Sequence, residues 1–306
     1  MHGMLTPQTR AAVTAEQFAD SYRGAAETAT QRRMAVAAPQ TDGDRALIAV
    51  DVETAVFGPV AGQVAFAVLE DGIDWRPHLV FPGLRPGESL DRRTEAPERA
   101  PLLAADGQTI AEGPADARVQ PLTATASIAG TLAASDDAAV RESLYARGFP
   151  EDTPVGSNGL ERVFEEQLAG RPGGELLAGS RVLASSEPRP AAPVETTIVP
   201  SVQEAADVGL AGRLGGVAAM DPRSGEILAL AGIAFSAPQP PGSTFKIVTT
   251  AAALEDGKVK MYDEYPIETA ATIDGVELEN ANGEYCGGTL AEAFAHSCNS
   301  VFAPMG

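Results

Sequence analysis

Only three lysines (Lys246, Lys258 and Lys260) stand against 19 arginines in this chain, so chemistry that needs an amine able to release and recapture a proton has three candidates. One of them, Lys246, follows Ser243 by three residues in PPGSTFKIVTTAAALEDG. The pattern predicts a helix starting near Ser243 and ending at Gly257, with residues 244–254 apolar nearly all round and therefore buried. Ser243 then occupies the first turn, where free backbone N–H groups and the positive end of the helix dipole favour a developing negative charge. Lys246 lies one turn on, on the same face. Burial disfavours its charged form and lets the amine accept the serine proton, which makes the pair a nucleophile with its base. With 15 serines and three lysines, chance alone gives such a pair about 0.15 times.

A second constellation lies in TLAEAFAHSCNSVFAPMG. Thr289 and Glu292 have the spacing of a capping box that starts a helix, and Ser297 and Asn299, two apart, can point the same way into a cleft. Four asparagines give a Ser-x-Asn pair by chance about 0.2 times, so the two coincidences together arise at a few per cent. Between them, Cys298 is expected to pack rather than react, and His296 to pack or hydrogen-bond rather than catalyse. Two cysteines, Cys286 and Cys298, are too few for a disulfide framework, and whether they pair stays open. With His2, His78 and His296 scattered, no zinc-ligand pattern is legible; no cofactor is expected.

The elements that must position these residues are read from periodicity. Residues 10–33 predict a short helix, with Phe18 and Tyr22 four apart and Gly24 weakening its end. Residues 46–57 alternate, with Val50, Val52, Thr54 and Val56 on one face and Asp51 and Glu53 on the other. Residues 63–69 alternate through Val64, Phe66 and Val68. Gly58-Pro59 and Asp71-Gly72 read as turns, and Trp75, the one tryptophan, as a core plug. From Arg76 to about Pro193 the chain is rich in Pro, Gly and Arg. Short strands there hinge on Asp106-Gly107, and one helix, 159–169, has Leu160, Val163, Phe164, Gln167 and Leu168 as its buried stripe. Residues 185–193 have a linker's composition. Beyond them come a β-branched run at 194–199, a helix at 203–214 and a hairpin turning on Asp221-Pro222-Arg223-Ser224-Gly225.

Length and charge narrow the field. At 306 residues the chain has room for two or three domains, and 44% apolar with 21% charged residues is a globular composition. A net charge of −20 repels phosphate backbones, so nucleic acid is not an expected partner. No run of 18 apolar residues occurs, and the N-terminus lacks a basic-then-apolar leader.

Taken together, these motifs resemble the penicillin-binding proteins, the serine D,D-transpeptidases of bacterial cell walls. PPGSTFKIVTTAAALEDG resembles the family's nucleophile helix, ENANGEYCGGTLAEAFAHSCNSVFAPMG its second-motif segment, and GGVAAMDPRSGEILALAG its opening hairpin. Upstream, RAPLLAADGQTIAE and GSNGLERVFEEQLAGRPG resemble the pedestal domain of class B members, and the first 75 residues resemble, more loosely, the end of an NTF2-like domain. The resemblance implies an α+β multidomain chain: an NTF2-like remnant at 1–76, a pedestal of the dimerisation type at 77–192, and the first part of a β-lactamase-like transpeptidase domain at 193–306. It implies Ser243 as nucleophile on the D-Ala-D-Ala of a peptidoglycan stem peptide, Lys246 as acylation base, Ser297 as proton relay and Asn299 as partner of the substrate amide and of Lys246. β-Lactam antibiotics would acylate the same serine, and a glycosyltransferase is an expected partner at the extracytoplasmic face of the membrane. No Lys-Thr-Gly, the family's third motif, occurs in these 306 residues, so the chain is expected to be an incomplete, inactive fragment lacking its anchor. A non-turnover sensor of β-lactams or muropeptides and a non-catalytic scaffold are the alternatives; the pedestal-like segments favour the enzyme.

Overall fold

A computed structural model describes all residues, Met1–Gly306, as two compact units, Met1–Ser236 and Ala237–Gly306. The first begins with two helices, α1 (Pro7–Ala12) and α2 (Ala15–Thr28), where a single one was expected. Thr14 divides them. Its hydroxyl accepts from the Gln17 amide at 3.1 Å while the Gln17 side chain accepts from the Thr14 amide at 3.0 Å, a reciprocal cap that starts a new helix. Gly24 does not end α2, which continues to Thr28.

Five antiparallel strands follow: β1 (Gln31–Val36), β2 (Gln40–Asp42), β3 (Arg45–Thr54), β4 (Pro59–Leu69) and β5 (Gly72–Asp74), with β3 central between β1 and β4 and also pairing β2. The expected alternation holds in β3, where Val50 and Val52 are buried and Asp51 and Glu53 face out. Phe18 of α2 packs on Trp75 with ring centroids 5.2 Å apart, and the buried indole donates to the Tyr22 hydroxyl. Each such large side chain, fully buried, contributes about 1.5–3 kcal/mol.

The next stretch holds β6 (Leu90–Glu95), β7 (Leu102–Leu103), β8 (Thr109–Ala111), α3 (Ala126–Ala129), β9 (Leu132–Ala133), α4 (Ala138–Arg147) and β10 (Val155–Gly156). Where one helix was expected at 159–169 there are two short ones, α5 (Gly159–Val163) and α6 (Glu165–Leu168), broken at Phe164. The break has a cause. The Glu161 carbonyl accepts from Arg99 Nη2 at 3.1 Å, where an unbroken helix would have it accept from residue 165. The same guanidinium binds the Glu161 and Glu165 carboxylates, and Arg118 takes the other Glu161 oxygen at 2.8 Å. Glu161 is fully buried, whereas Val163, assigned from the periodicity to the buried stripe, is 69% exposed, and Gln167 is exposed too.

Strands β11 (Gly173–Ala178) and β12 (Arg181–Ser186) complete a three-stranded sheet with β6. The linker reading of 185–193 is thereby corrected: Ser185 and Ser186 belong to β12, and Arg189 exchanges two backbone hydrogen bonds with Arg171. Strand β13 (Val194–Glu195) runs parallel to β7. Then come α7 (Pro200–Leu210) and the hairpin of β14 (Gly216–Met220) and β15 (Ile227–Gly232), turning as expected with Gly225 at φ 78°. Helix α7 ends four residues earlier than its sequence pattern suggests, because Ala211 adopts a left-handed conformation and Gly212 follows.

The second unit contains α8 (Lys246–Glu255), β16 (Glu264–Glu268), β17 (Ala270–Ile273), β18 (Val276–Glu279), β19 (Cys286–Thr289), α9 (Leu290–Ala295) and α10 (Asn299–Met305). The strands form two antiparallel pairs, β16 with β19 and β17 with β18, and carbonyls of β18 and β19 accept from Asn299 and Ser300. No helix in the chain is long and apolar enough to cross a membrane.

Glu161→Ala leaves two buried guanidinium groups without their shared carboxylate and is expected to destabilise the first unit by about 3–5 kcal/mol. Guanidinium unfolding followed by hydrogen exchange at β7 and β8 measures it.

Candidate active site

Ser243 sits in a 3₁₀ turn, Gly242–Phe245, that leads into α8. A proline-rich approach (Pro238, Pro240, Pro241) reverses at Gly242, whose φ of 58° suits glycine, and the Thr244 hydroxyl donates to the Pro241 carbonyl at 2.6 Å. The Ser243 side chain is exposed. The segment leading into and through α8 is not buried as its sequence suggests: Phe245, Ile247 and Val248 are all more than half exposed. Of its apolar residues, Leu254 packs on the core built from Leu290, Ala293, Val301 and Phe302, while the opposite face meets solvent.

Lys246 opens α8, and its Nζ donates to three oxygens: the Ser297 carbonyl at 2.5 Å, the Ser297 hydroxyl at 3.1 Å and Asn299 Oδ1 at 2.7 Å. Three N–H groups meet three acceptors, so the ammonium is fully satisfied. The structure thus brings Lys246, Ser297 and Asn299 together by direct contact, and Ser243 joins them through its place one turn before Lys246 rather than through a hydrogen bond of its own. Phe302 adds a ring whose centroid lies 5.8 Å from Nζ. Burial pushes the Lys246 pKa below the ordinary 10.5, while the three acceptors work in the opposite sense by favouring the charged form.

The second motif is held from several sides. Thr289 and Glu292 form the expected capping box at the start of α9. Ser297 lies between α9 and α10 with φ 57°, a left-handed conformation that costs a non-glycine residue about 1–3 kcal/mol and persists only where its surroundings over-determine it. Here the Ser297 amide donates to the Phe294 carbonyl at 3.1 Å and the Cys298 amide to the Ala293 carbonyl at 2.9 Å. Cys298 is fully buried and disulfide-bonded to Cys286, with Cα atoms 5.4 Å apart, which answers the pairing question left open by the sequence. Asn299 donates its amide to the Glu279 carbonyl at 2.7 Å, so its oxygen must face Lys246. His296 is exposed.

One organising residue escaped the sequence reading. Buried Asn280 donates to the Glu268 and Glu284 carbonyls and to the Ser300 hydroxyl, and its oxygen accepts from the Ser300 amide at 2.8 Å. Within ENANGEYC an asparagine near a glycine reads as a turn former, and nothing in that run points to a partner twenty residues on.

Against known proteins, residues 215–305 match the family described as the penicillin binding protein transpeptidase domain. The peptidoglycan D,D-transpeptidase PbpA of Mycolicibacterium smegmatis is 33% identical over a 197-residue alignment that takes in 49% of this chain and 40% of the relative. Its namesake in Mycobacterium tuberculosis is 32% identical with the same coverages. Penicillin-binding protein 1A of M. smegmatis is 31% identical over 50% of this chain and 20% of its own. The chain spans about two fifths of the length of the curated PbpA relatives it matches. In fold it is similar to Pseudomonas aeruginosa PBP2, solved in complex with WCK 5153, at a TM-score of 0.52 and 22% identity over 70% of this chain and 53% of that one.

Two outcomes check the geometry. Competitive acetylation across pH, read by mass spectrometry, is expected to place the Lys246 midpoint below 10.5. Because the folded pKa is the lower one, the unfolded chain holds the extra proton between the two values. The cost of the buried charge is therefore borne in full below the folded pKa and relieved as pH rises through that window, and Lys246→Met removes this dependence. Asn280→Ala orphans the Ser300 amide and two carbonyls and is expected to cost about 2–3 kcal/mol in denaturant unfolding.

Proposed function

We propose, from a chain whose residues 215–305 match the penicillin binding protein transpeptidase domain, that the protein is a class B penicillin-binding protein, a peptidoglycan D,D-transpeptidase working through an acyl-enzyme on Ser243. The observation that carries this reading is the Lys246 ammonium fastened to Ser297 and Asn299, one helical turn after an exposed serine.

In this reading Ser243 Oγ attacks the penultimate D-alanine carbonyl of a stem peptide and passes its proton to neutral Lys246. The C–N bond to the terminal D-alanine breaks, and Ser297 relays the proton to the leaving amine. Asn299 fixes Lys246 and offers its amide side chain to the substrate backbone. The Ser243 backbone N–H, at the head of the 3₁₀ turn, contributes to stabilising the tetrahedral oxyanion. An acceptor amine then attacks the acyl-enzyme and restores the serine. A β-lactam enters by the same attack, its ring amide opening in place of the peptide bond. Burial that lowers the Lys246 pKa supports the base role, because it raises the share of amine ready to accept a proton.

For the remaining chain, residues 1–76 are proposed as the end of an NTF2-like domain, 77–192 as the pedestal and 193–306 as the opening part of the transpeptidase domain. The extracytoplasmic membrane face is the proposed site of action, with a glycosyltransferase of wall synthesis as partner.

In the gene product carrying this sequence, fluorescent penicillin is expected to label Ser243 covalently, and Ser243→Ala to abolish labelling. A labelled peptide mapping to another serine would overturn the assignment. Lys246→Arg should slow acylation by about 10²–10⁴, as much as Lys246→Ala, because a guanidinium keeps its proton near neutral pH. Retention of most of the rate by the arginine variant would make Lys246 an electrostatic residue instead of a base.

A further inference from the structure

We propose that the Cys286–Cys298 disulfide is the positioning element that seats Ser297 and Asn299 on the Lys246 ammonium, an inference that rests on reading these residues as the catalytic set.

Cys298 is the one residue between the two that bind Lys246, and it is fully buried. Its sulfur bond ties it to Cys286 at the start of β19, whose partner across the sheet is Glu268 of β16. The α9–α10 junction is thereby fastened covalently to a strand pair. That junction contains the left-handed Ser297 (φ 57°), a conformation serine does not choose unaided. Both the carbonyl and the hydroxyl of Ser297 accept from Lys246, so their joint placement depends on that backbone angle.

A second fastening lies two residues further on, at Ser300. Asn280 grips the Ser300 amide and hydroxyl, and the Ser300 hydroxyl also donates to the Cys286 carbonyl at 3.2 Å. This clamp uses no sulfur. It holds the first turn of α10 near β19 whether or not the cysteines are bonded, and the buried apolar core of Leu290, Ala293, Val301 and Phe302 remains. What the disulfide adds is control of residue 298 itself, and so of the residues on either side. Opening it leaves the second unit folded and releases Ser297 to relax out of the left-handed region, taking two of the three acceptors from the ammonium.

The test uses the full 306-residue chain, whose three lysines give three separable signals. A dithiol such as dithiothreitol opens the bridge: it supplies two electrons and two protons, leaves as its own cyclic disulfide, and converts Cys286 and Cys298 to thiols. Competitive acetylation is then read across pH for each lysine, alongside far-UV circular dichroism. Because the lost acceptors favoured the charged form, the Lys246 midpoint is expected on reduction to fall further below 10.5. Its reactivity at a fixed pH below that midpoint should increase about tenfold, the worth of one charge-assisted hydrogen bond to the protonated form. Lys258 and Lys260 keep their profiles, and reoxidation restores the original Lys246 curve. The double variant Cys286→Ser with Cys298→Ser should show the altered curve without reductant and no response to it. An unchanged Lys246 curve in a chain whose mass shows both thiols overturns the proposal. So does a rise in reactivity at all three lysines with loss of helical dichroism, since the bridge would then serve stability alone. Failure of the functional reading registers separately, as penicillin labelling away from Ser243.

Discussion

An ammonium ion with part of its stem taken out of water must find acceptors for all three N–H groups, and the second unit is arranged around meeting that requirement for Lys246. Two of the acceptors come from Ser297, which can present carbonyl and hydroxyl to one point because its backbone is left-handed. The third comes from Asn299, oriented by the Glu279 carbonyl on β18. Each support has supports of its own. The Ser297 backbone depends on the bonds to Phe294 and Ala293, and the start of α10 on Asn280 and the disulfide. Isolated, the strained serine would cost stability; inside this network it is the geometry that lets one amine meet three oxygens.

The first unit obeys the same rule with the opposite outcome. Glu161, fully buried, is shared by Arg99 and Arg118, with Glu165 completing the charge set. Arg99 also captures the Glu161 carbonyl, and the local helix breaks. Here electrostatics overrides hydrophobic periodicity. A charged residue goes inside, where two guanidinium groups pair its carboxylate, and Val163 turns out.

These two networks also explain how far the sequence could be read. The alternation of β3, the Asp221–Gly225 turn and the Thr289–Glu292 cap are local, and each was legible because its cause lies within a few residues. The four candidate residues were legible as two short motifs, and the structure brings three of them into contact. What was illegible depends on distant partners. Glu161 turns inward for Arg99 and Arg118, Asn280 for Ser300, and Cys286 for Cys298, and no single-sequence pattern distinguishes these from a helix stripe, a turn asparagine or a packed thiol. The linker reading at 185–193 failed in the same way, since the pairing of Arg189 with Arg171 is invisible in a run of Ser and Pro.

The exposed face of α8 changes where the Lys246 amine acquires its properties. From the sequence, an all-round apolar helix would bury Lys246 and lower its pKa by its own surroundings. Instead Ile247 and Val248 meet solvent, and the groups lying against the ammonium, Ser297, Asn299 and the Phe302 ring, all come from the second motif. The proton affinity of the amine is therefore governed by the α9–α10 junction rather than by the helix that carries it. Burial beneath that junction lowers the pKa, and its oxygens raise it, so the two influences are set by the same few residues. A change at Ser297 or Asn299 consequently alters the Lys246 amine as well as its own group, and effects of substitutions at Lys246, Ser297 and Asn299 on its proton affinity cannot be additive.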